Sequence, residues 1–200
     1  MKYLTNYIDR NLSCLTGKRE FDSIAKIENF PVFFGVTKEP EEDDLYAVME
    51  WFIEKSTGLI QLNKLIPLDI LYQSQHAYGF GEIWENHYQE FSRFLTQTKP
   101  SEVLEIGAGQ GKIAQICTSC DDIKSWTIIE PNPTFKPTNK IKVLTGFFDS
   151  NFKFDSDFDT YTFSHVLEHA YDPKEFLNCI YEKMRISDNL VFSYPNLRAW

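Results

Sequence analysis

The sequence predicts an α/β protein, a doubly wound and mostly parallel sheet preceded by a small strand-rich appendage. Three observations predict it. From Glu102 onward, short apolar runs alternate with segments of helical periodicity, the pattern of strands joined by crossover helices. Those runs are apolar along their whole length, as strands covered on both faces must be. The first of them leads directly into a glycine-rich turn that opens a helix, Glu105-Ile106-Gly107-Ala108-Gly109-Gln110-Gly111.

In chain order, residues 1–65 read as the strand-rich module. Phe30-Pro31-Val32-Phe33-Phe34-Gly35 is a short apolar piece whose proline suits an edge or irregular strand. Lys38 to Asp44 is the densest charge run and reads as a solvated loop. Leu45–Glu54 and Gly58–Leu62 flank the turn signal Lys55-Ser56-Thr57-Gly58, which predicts a hairpin. Residues 66–99 read as a helical linker and cap, with Ile83, Trp84, His87, Phe91, Phe94 and Leu95 at helical spacing, and Lys99-Pro100-Ser101 ending the helix. Residues 100–200 form the predicted core. Its five strands are Val103–Ile106, Trp126–Ile129, Ile141–Leu144, Phe158–Phe163 and Asn189–Tyr194; Ile113–Cys117 and Pro173–Met184 are helices.

Composition narrows the function classes. The 200 residues carry a net charge of −9 and a pI near 4.9, which disfavours nucleic acid or an anionic membrane as the main partner. No apolar run is long enough for a membrane helix, and the N-terminus lacks a signal-peptide core, so membrane insertion is not expected. The four cysteines form no dense framework and read as reduced thiols in a cytoplasmic protein.

The glycine turn frees a helix N-terminus and lets the backbone approach a ligand. Nineteen residues beyond Gly111, Glu130 ends the second strand, where an acid can accept both hydroxyls of a nucleoside ribose. A dinucleotide fingerprint requires a further glycine where Lys112 stands, and no Tyr-x-x-x-Lys pair is recognisable. A nicotinamide-dependent oxidoreductase is thus the lesser reading. The pattern here, Glu-x-Gly-x-Gly-x-Gly, resembles the first motif of class I S-adenosylmethionine-dependent methyltransferases, which have a Rossmann-like core. Ser164-His165-Val166-Leu167-Glu168-His169, Asp172-Pro173, Phe176-Leu177 and Tyr194-Pro195-Asn196 extend the resemblance over residues 100–196.

The resemblance implies S-adenosylmethionine as cofactor, with no metal required. Gly107, Gly109 and Gly111 would run past its methionine part and Glu130 would hold its ribose. Gly146-Phe147-Phe148 would help form the adenine slot, with Phe148 as an ordinary core residue the alternative. Glu105, Pro131, Ser164 and His165 complete the expected cofactor contacts. Ligands gather at the carboxyl ends of such strands, so His165 or His169 is the candidate general base for a protic acceptor. For an acceptor already anionic, the histidines would position or neutralise it. A purely structural role for His169, and a loop-bracing role for Glu168, stay open. The same residues fit the H-x-x-E-H pattern of one zinc peptidase group, which needs both histidines on one helical face. Asp172-Pro173 limits any helix there to about two turns.

The N-terminal part resembles, more distantly, the zinc-binding module that precedes some methyltransferases of sugars and surface polysaccharides. Cys14-Leu15-Thr16-Gly17 looks like a remnant of its first Cys-x-x-Cys knuckle without the second cysteine, so a metal-free appendage is expected. Cys117 and Cys120 have that spacing but fall at a helix end, where core filling is the simpler role. Leu71 to Gly79, with Trp84 and His87, resembles the segment that caps the cofactor in that group, which carries Tyr72 and His76 over as cap residues. His76 joins the two other histidines as a catalytic candidate.

Taken with the Gly58-Leu59-Ile60-Gln61-Leu62 tract, the chain resembles methyltransferases of bacterial capsular polysaccharide biosynthesis linked to the O-methyl phosphoramidate decoration. This implies a small-molecule acceptor bearing a phosphoramidate. C- or O-methylation of a nucleotide-linked sugar is the alternative, and a non-catalytic S-adenosylmethionine-binding module is the alternative from another class. The family sheet has seven strands, so a chain whose fifth strand ends near Tyr194 is expected to lack the C-terminal hairpin. A further segment or a homodimer would then cover the fifth strand's edge, and the acceptor pocket would be incomplete without it.

Overall fold

The computed structural model describes residues 2–33, 40–73, 79, 81–153 and 156–196. The chain divides into two compact units, residues 1–76 and 77–200. The sequence placed boundaries at 65 and 99 instead. The first turn of helix after the strand module falls in the first unit, and the long helix before the glycine turn falls in the second.

The first unit holds β1 (Lys2–Tyr3), β2 (Ile8–Asp9), β3 (Phe21–Pro31), β4 (Leu45–Glu54), β5 (Ile60–Leu62), β6 (Lys64–Leu65) and the short α1 (Leu68–Leu71). β4 is its spine, pairing antiparallel with β3 and β5 and parallel with β1, while β2 pairs antiparallel with β6. The predicted hairpin is the β4–β5 pair, in register Trp51↔Leu62 to Ile53↔Ile60. The eleven-residue β3 is longer than the apolar piece seen at its end. Register shifts between Ser23 and Ala25 and between Ile27 and Phe30 erase the period-two alternation that would have marked it.

A carboxylate organises this unit. Glu54, completely buried, accepts hydrogen bonds from Thr16 Oγ1 (2.5 Å), Thr57 Oγ1 (2.5 Å), Ser56 Oγ (3.0 Å) and Ser13 Oγ (3.1 Å). Two similar turns face it. In each, a glycine amide closes on the carbonyl four residues back, Gly17 on Ser13 and Gly58 on Glu54, both at 2.9 Å. The repeated unit is therefore Ser13-x-x-Thr16-Gly17 and Glu54-x-x-Thr57-Gly58. Cys14 lies inside the first turn, its amide donating to Gln61 Oε1 at 3.1 Å.

The second unit holds α2 (Glu82–Thr96), β7 (Glu102–Ile106), α3 (Lys112–Thr118), β8 (Ser125–Glu130), β9 (Ile141–Thr145), β10 (Thr160–Ser164), α4 (Pro173–Tyr181) and β11 (Asn189–Ser193). The five strands form one parallel sheet in the order β11-β10-β7-β8-β9, the Rossmann-like arrangement of the class I methyltransferase core. Alternate residues feed two cores. Val103, Trp126, Ile128, Ile141 and Val191 pack with Phe91 and Leu95 of α2 and with Ile113, Ala114 and Cys117 of α3. Leu104, Ile106, Ile129, Tyr161 and Phe163 pack with Phe176 and Ile180 of α4. Cys117 fills the first core, as expected of it. α4 begins where its caps dictate: Asp172 accepts from the Glu175 amide at 2.8 Å, and Pro173 occupies the first turn. The apolar stripe of α2 is narrower than predicted, since Ile83 is 84% and Phe94 59% exposed.

Hydroxyl donors, Thr16 and Thr57 foremost, hold the Glu54 carboxyl well below the ordinary range, at about 2. A depressed folded value stabilises above the unfolded value of 4.5 and is lost as pH falls toward 2. Protection of the Gly17 and Gly58 amides against exchange is thus expected to fall through that window. The Glu54→Gln variant is expected to lose protection by roughly tenfold already at about pH 6, because an amide nitrogen repels hydroxyl donors. Equal protection in the variant would show that the carboxylate is not what holds these turns.

Candidate cofactor site

Chain order β7, β8, β9 runs outward from the sheet centre and then returns to β10 on the other side of β7. The crevice between β7 and β10 is therefore the topological switch point, where ligands bind beyond the carboxyl ends. The glycine turn follows β7 there, and His165 follows β10.

Gly107, Gly109 and Gly111 have φ of +69°, +54° and +65°. Two are also required by proximity. A Cβ on Gly107 would lie 2.6 Å from Val166 Cγ2, and one on Gly111 2.9 Å from the Phe135 ring. Side chains at these points would wedge the two strand ends apart or displace Phe135 from the start of α3. The turn is fastened to the next strand by Glu130, which is buried. Its Oε2 accepts from Gly109 N at 2.9 Å and its Oε1 from Asn132 N at 3.0 Å. A carboxylate offers about four lone-pair positions, so each oxygen keeps one for a further donor. The cradle of left-handed glycines beside an acid with spare acceptor capacity fits a nucleoside cofactor carrying a ribose diol and an amino-acid tail.

The remaining expected contacts divide. Pro131 follows Glu130 and is half-buried. Phe147 is 40% exposed beyond β9, whereas Phe148 packs on Phe152 and Phe176, with ring centroids 5.4 and 5.3 Å apart. Of the two readings of Phe148, its ring contacts favour the core. Glu105 lies in the core near the end of β7. It is only 2% exposed, on the face of β7 that packs beneath α2 and α3, and Trp126 Nε1 donates to its Oε2 at 2.8 Å. Burial pushes its carboxyl up to about 8, with the indole hydrogen bond opposing. Tyr72 closes α1 in the first unit, and His76 lies outside the described residues.

Beyond β10, the two candidate histidines differ in exposure. His165 has φ +56° and its Nδ1 lies 3.4 Å from Glu168 Oε1; His169 is exposed at the end of a 3-10 turn, Leu167–His169. The helix that an H-x-x-E-H metal pair requires is not formed by these residues. Among the described residues, no group of three or more His, Cys, Asp or Glu side chains is placed to hold a metal ion.

The residue missed as a site candidate is His87. α2 carries it to the end of β10, where Nε2 lies 2.8 Å from Ser164 Oγ, which in turn lies 2.8 Å from Ser193 Oγ. Its ring is 5.0 Å from the His165 ring and stacks at 5.8 Å on Phe91; Trp84 stands 5.2 Å from His165. Burial, and then the neighbouring His165, lower the basicity of His87. The signal for it was a lone polar residue on the buried stripe of an amphipathic helix.

This fold and cradle define a nucleoside-cofactor-binding α/β domain. A family model described as a methyltransferase domain matches residues 78–199, more than half of the chain, and the chain belongs to that family of class I S-adenosylmethionine-dependent methyltransferases. S-adenosylmethionine is therefore its expected cofactor. No curated protein matches the chain. Among solved structures, the chain is similar to the N-methyltransferase NodS of Bradyrhizobium japonicum in complex with S-adenosyl-L-homocysteine. Identity there is 16% and TM-score 0.47, over 56% of this chain and 62% of that one. It is also similar to the plantazolicin methyltransferase BpumL (18% identity, TM-score 0.40, 50% and 48% covered). A third likeness is to coclaurine N-methyltransferase (13% identity, TM-score 0.43, 60% and 39% covered). The chain thus spans less than two thirds of the length of these structures. Among the described residues, no helix is long and apolar enough to cross a membrane.

A raised carboxyl in the folded state makes stability fall with pH, since between 4.5 and about 8 the folded chain holds a proton that the unfolded chain has released. The isosteric Glu105→Gln variant keeps the acceptor for Trp126 and removes this dependence. Denaturant unfolding is expected to give similar stabilities near pH 5 and a clear advantage to the variant at about pH 9. A variant weaker than wild type at the upper pH would show that the carboxylate is accommodated as an anion.

Proposed function

We propose that this chain transfers a methyl group from S-adenosylmethionine to a small-molecule acceptor in surface or capsular polysaccharide biosynthesis. The observation that carries the cofactor half of this reading is the Glu130 carboxylate latched to the glycine turn with one acceptor position left on each oxygen. Gly107, Gly109 and Gly111 would border the methionine part, Glu130 the ribose and Phe147 the base. Pro131 and the Ser164–His165 strand end would close the remaining sides. When bound, the cofactor supplies a methyl group on a sulfonium, a good leaving group, so the protein's tasks are placement and proton management.

For the acceptor half, the sequence resemblance supports a phosphoramidate-bearing capsule precursor, in which an anionic oxygen is methylated without a base. A hydroxyl of a nucleotide-linked sugar is the second reading. The observation that favours it is the pair of imidazoles at the end of β10, a proton-accepting environment that a pre-ionised oxygen does not use. In either case His165 is the histidine at the switch point and His169 the more exposed. Tyr72 and His76 stay the proposed cap residues, and the cytoplasm the proposed place of action.

Calorimetric titration checks the cofactor half. S-adenosylhomocysteine is expected to bind and NAD not to. Gly109→Val is expected to weaken binding by about tenfold or more, because a β-branched residue resists φ of +54° and the Gly109 amide would lose Glu130. Binding of NAD without S-adenosylhomocysteine would overturn the reading.

A further inference from the structure

We propose that His87, delivered by α2, is the proton-holding residue on the acceptor side of this site, and that it serves an uncharged hydroxyl acceptor through the Ser164 hydroxyl. The inference rests on the methyltransferase reading and specifies the acceptor chemistry within it.

The argument begins with the hydrogen-bond chain His87 Nε2···Ser164 Oγ···Ser193 Oγ, both links 2.8 Å. Each hydroxyl has one proton to give and two lone pairs to accept with, so what matters is where the protons of Ser164 and His87 lie. In the arrangement proposed, Ser193 donates to Ser164 and Ser164 donates to His87, whose Nε2 is then a bare lone pair. Where His87 Nε2 carries the proton instead, that nitrogen cannot take one from Ser164. The first arrangement is the one proposed, since it leaves a base at the strand end. His87 is half-buried between Phe91, stacked at 5.8 Å, and the His165 ring at 5.0 Å. Burial, and then the neighbouring His165, disfavour the charged form of His87.

Among the described residues, these groups face the pair. Glu168, from the 3-10 turn, lies 3.4 Å from His165; Trp84 and Tyr88, from α2 itself, stand 5.7 and 5.9 Å from His87. Glu85 of α2 is engaged by Lys112 of α3 at 3.5 Å. The groups gathered at the strand end are thus two imidazoles, two hydroxyls, an indole, a phenol and a carboxylate. None of these is a guanidinium or an ammonium. A phosphate or phosphoramidate oxygen would meet Glu168 there without a compensating guanidinium or ammonium, whereas a sugar hydroxyl would find an acceptor for its proton.

The step balances. The acceptor's O–H proton passes to Ser164 Oγ as the Ser164 proton passes to His87 Nε2. The freed oxygen pair forms the new C–O bond, and the C–S bonding pair returns to sulfur. One positive charge leaves the sulfonium and one appears on the His87 imidazolium. His165, whose Nδ1 lies 3.4 Å from Glu168 Oε1, adds to the burial that makes His87 hard to charge.

The tautomer of His87 tests this without an identified acceptor. In the full chain with ¹⁵N-labelled histidine, loaded with S-adenosylhomocysteine, the His87 ring is expected to be neutral near pH 7 with its proton on Nδ1. Ser164→Ala is expected to move that proton toward Nε2, the commoner site in a free imidazole. His165→Asn is expected to raise the pH at which His87 charges. A His87 ring protonated on Nε2 in the wild type, or one unmoved by both variants, overturns the proposal. Failure of S-adenosylhomocysteine to bind would instead sink the cofactor reading, while the His87 tautomer remains measurable in the free chain.

Discussion

The Glu130 carboxylate is the contact on which the rest of the site depends. Its two oxygens take the amides of Gly109 and Asn132, so the turn after β7 and the turn after β8 are fastened to one buried anion. The glycine turn must also lie close against the segment after β10, where Val166 leaves no room for a Cβ on Gly107. With the turn pinned from both sides, the crevice at the switch point has a fixed floor. The groups of β10, α2 and β11 can then be set against it. Loss of the latch would free a stretch of backbone with three left-handed residues, which has little reason to hold one shape alone.

Three buried glutamates show how donors, rather than burial alone, decide a carboxyl's charge. Glu54 is wholly buried, yet four hydroxyls keep it ionised and draw two turns together. Glu105 is almost as deeply buried and accepts from the Trp126 indole, and its carboxyl is pushed up to about 8. Glu130 takes two backbone amides and has capacity to spare. The first is a structural clasp, the second a neutral hydrogen-bonding group in the core, and the third is available to a ligand. Nothing in residue type separates them.

Parallel strands and the glycine turn were legible because their signals are local. A strand buried on both faces has to be apolar along its length, and a left-handed turn against a neighbouring strand has to be glycine. Observed strand ends differ from the expected ones by one or two residues. β3 was missed because two register shifts break its alternation and its middle residues face solvent. Cys14 drew attention for its sulfur, but Ser13 is the residue that faces Glu54, and the closure of Gly17 on Ser13 forms that turn.

The sequence by itself determined a parallel Rossmann-like core, the place of its glycine turn and the acid at the end of the second strand. Each of these follows from a spacing along one stretch of chain. The tertiary structure decided that Glu105 is buried in the core, that His169 is more exposed than His165, and that His87 meets Ser164 across 77 positions of sequence. The physical reason is the direction of the α2 helix across the sheet edge. Helix packing brings residues together by face and angle, and neither quantity is written in the spacing of any one segment.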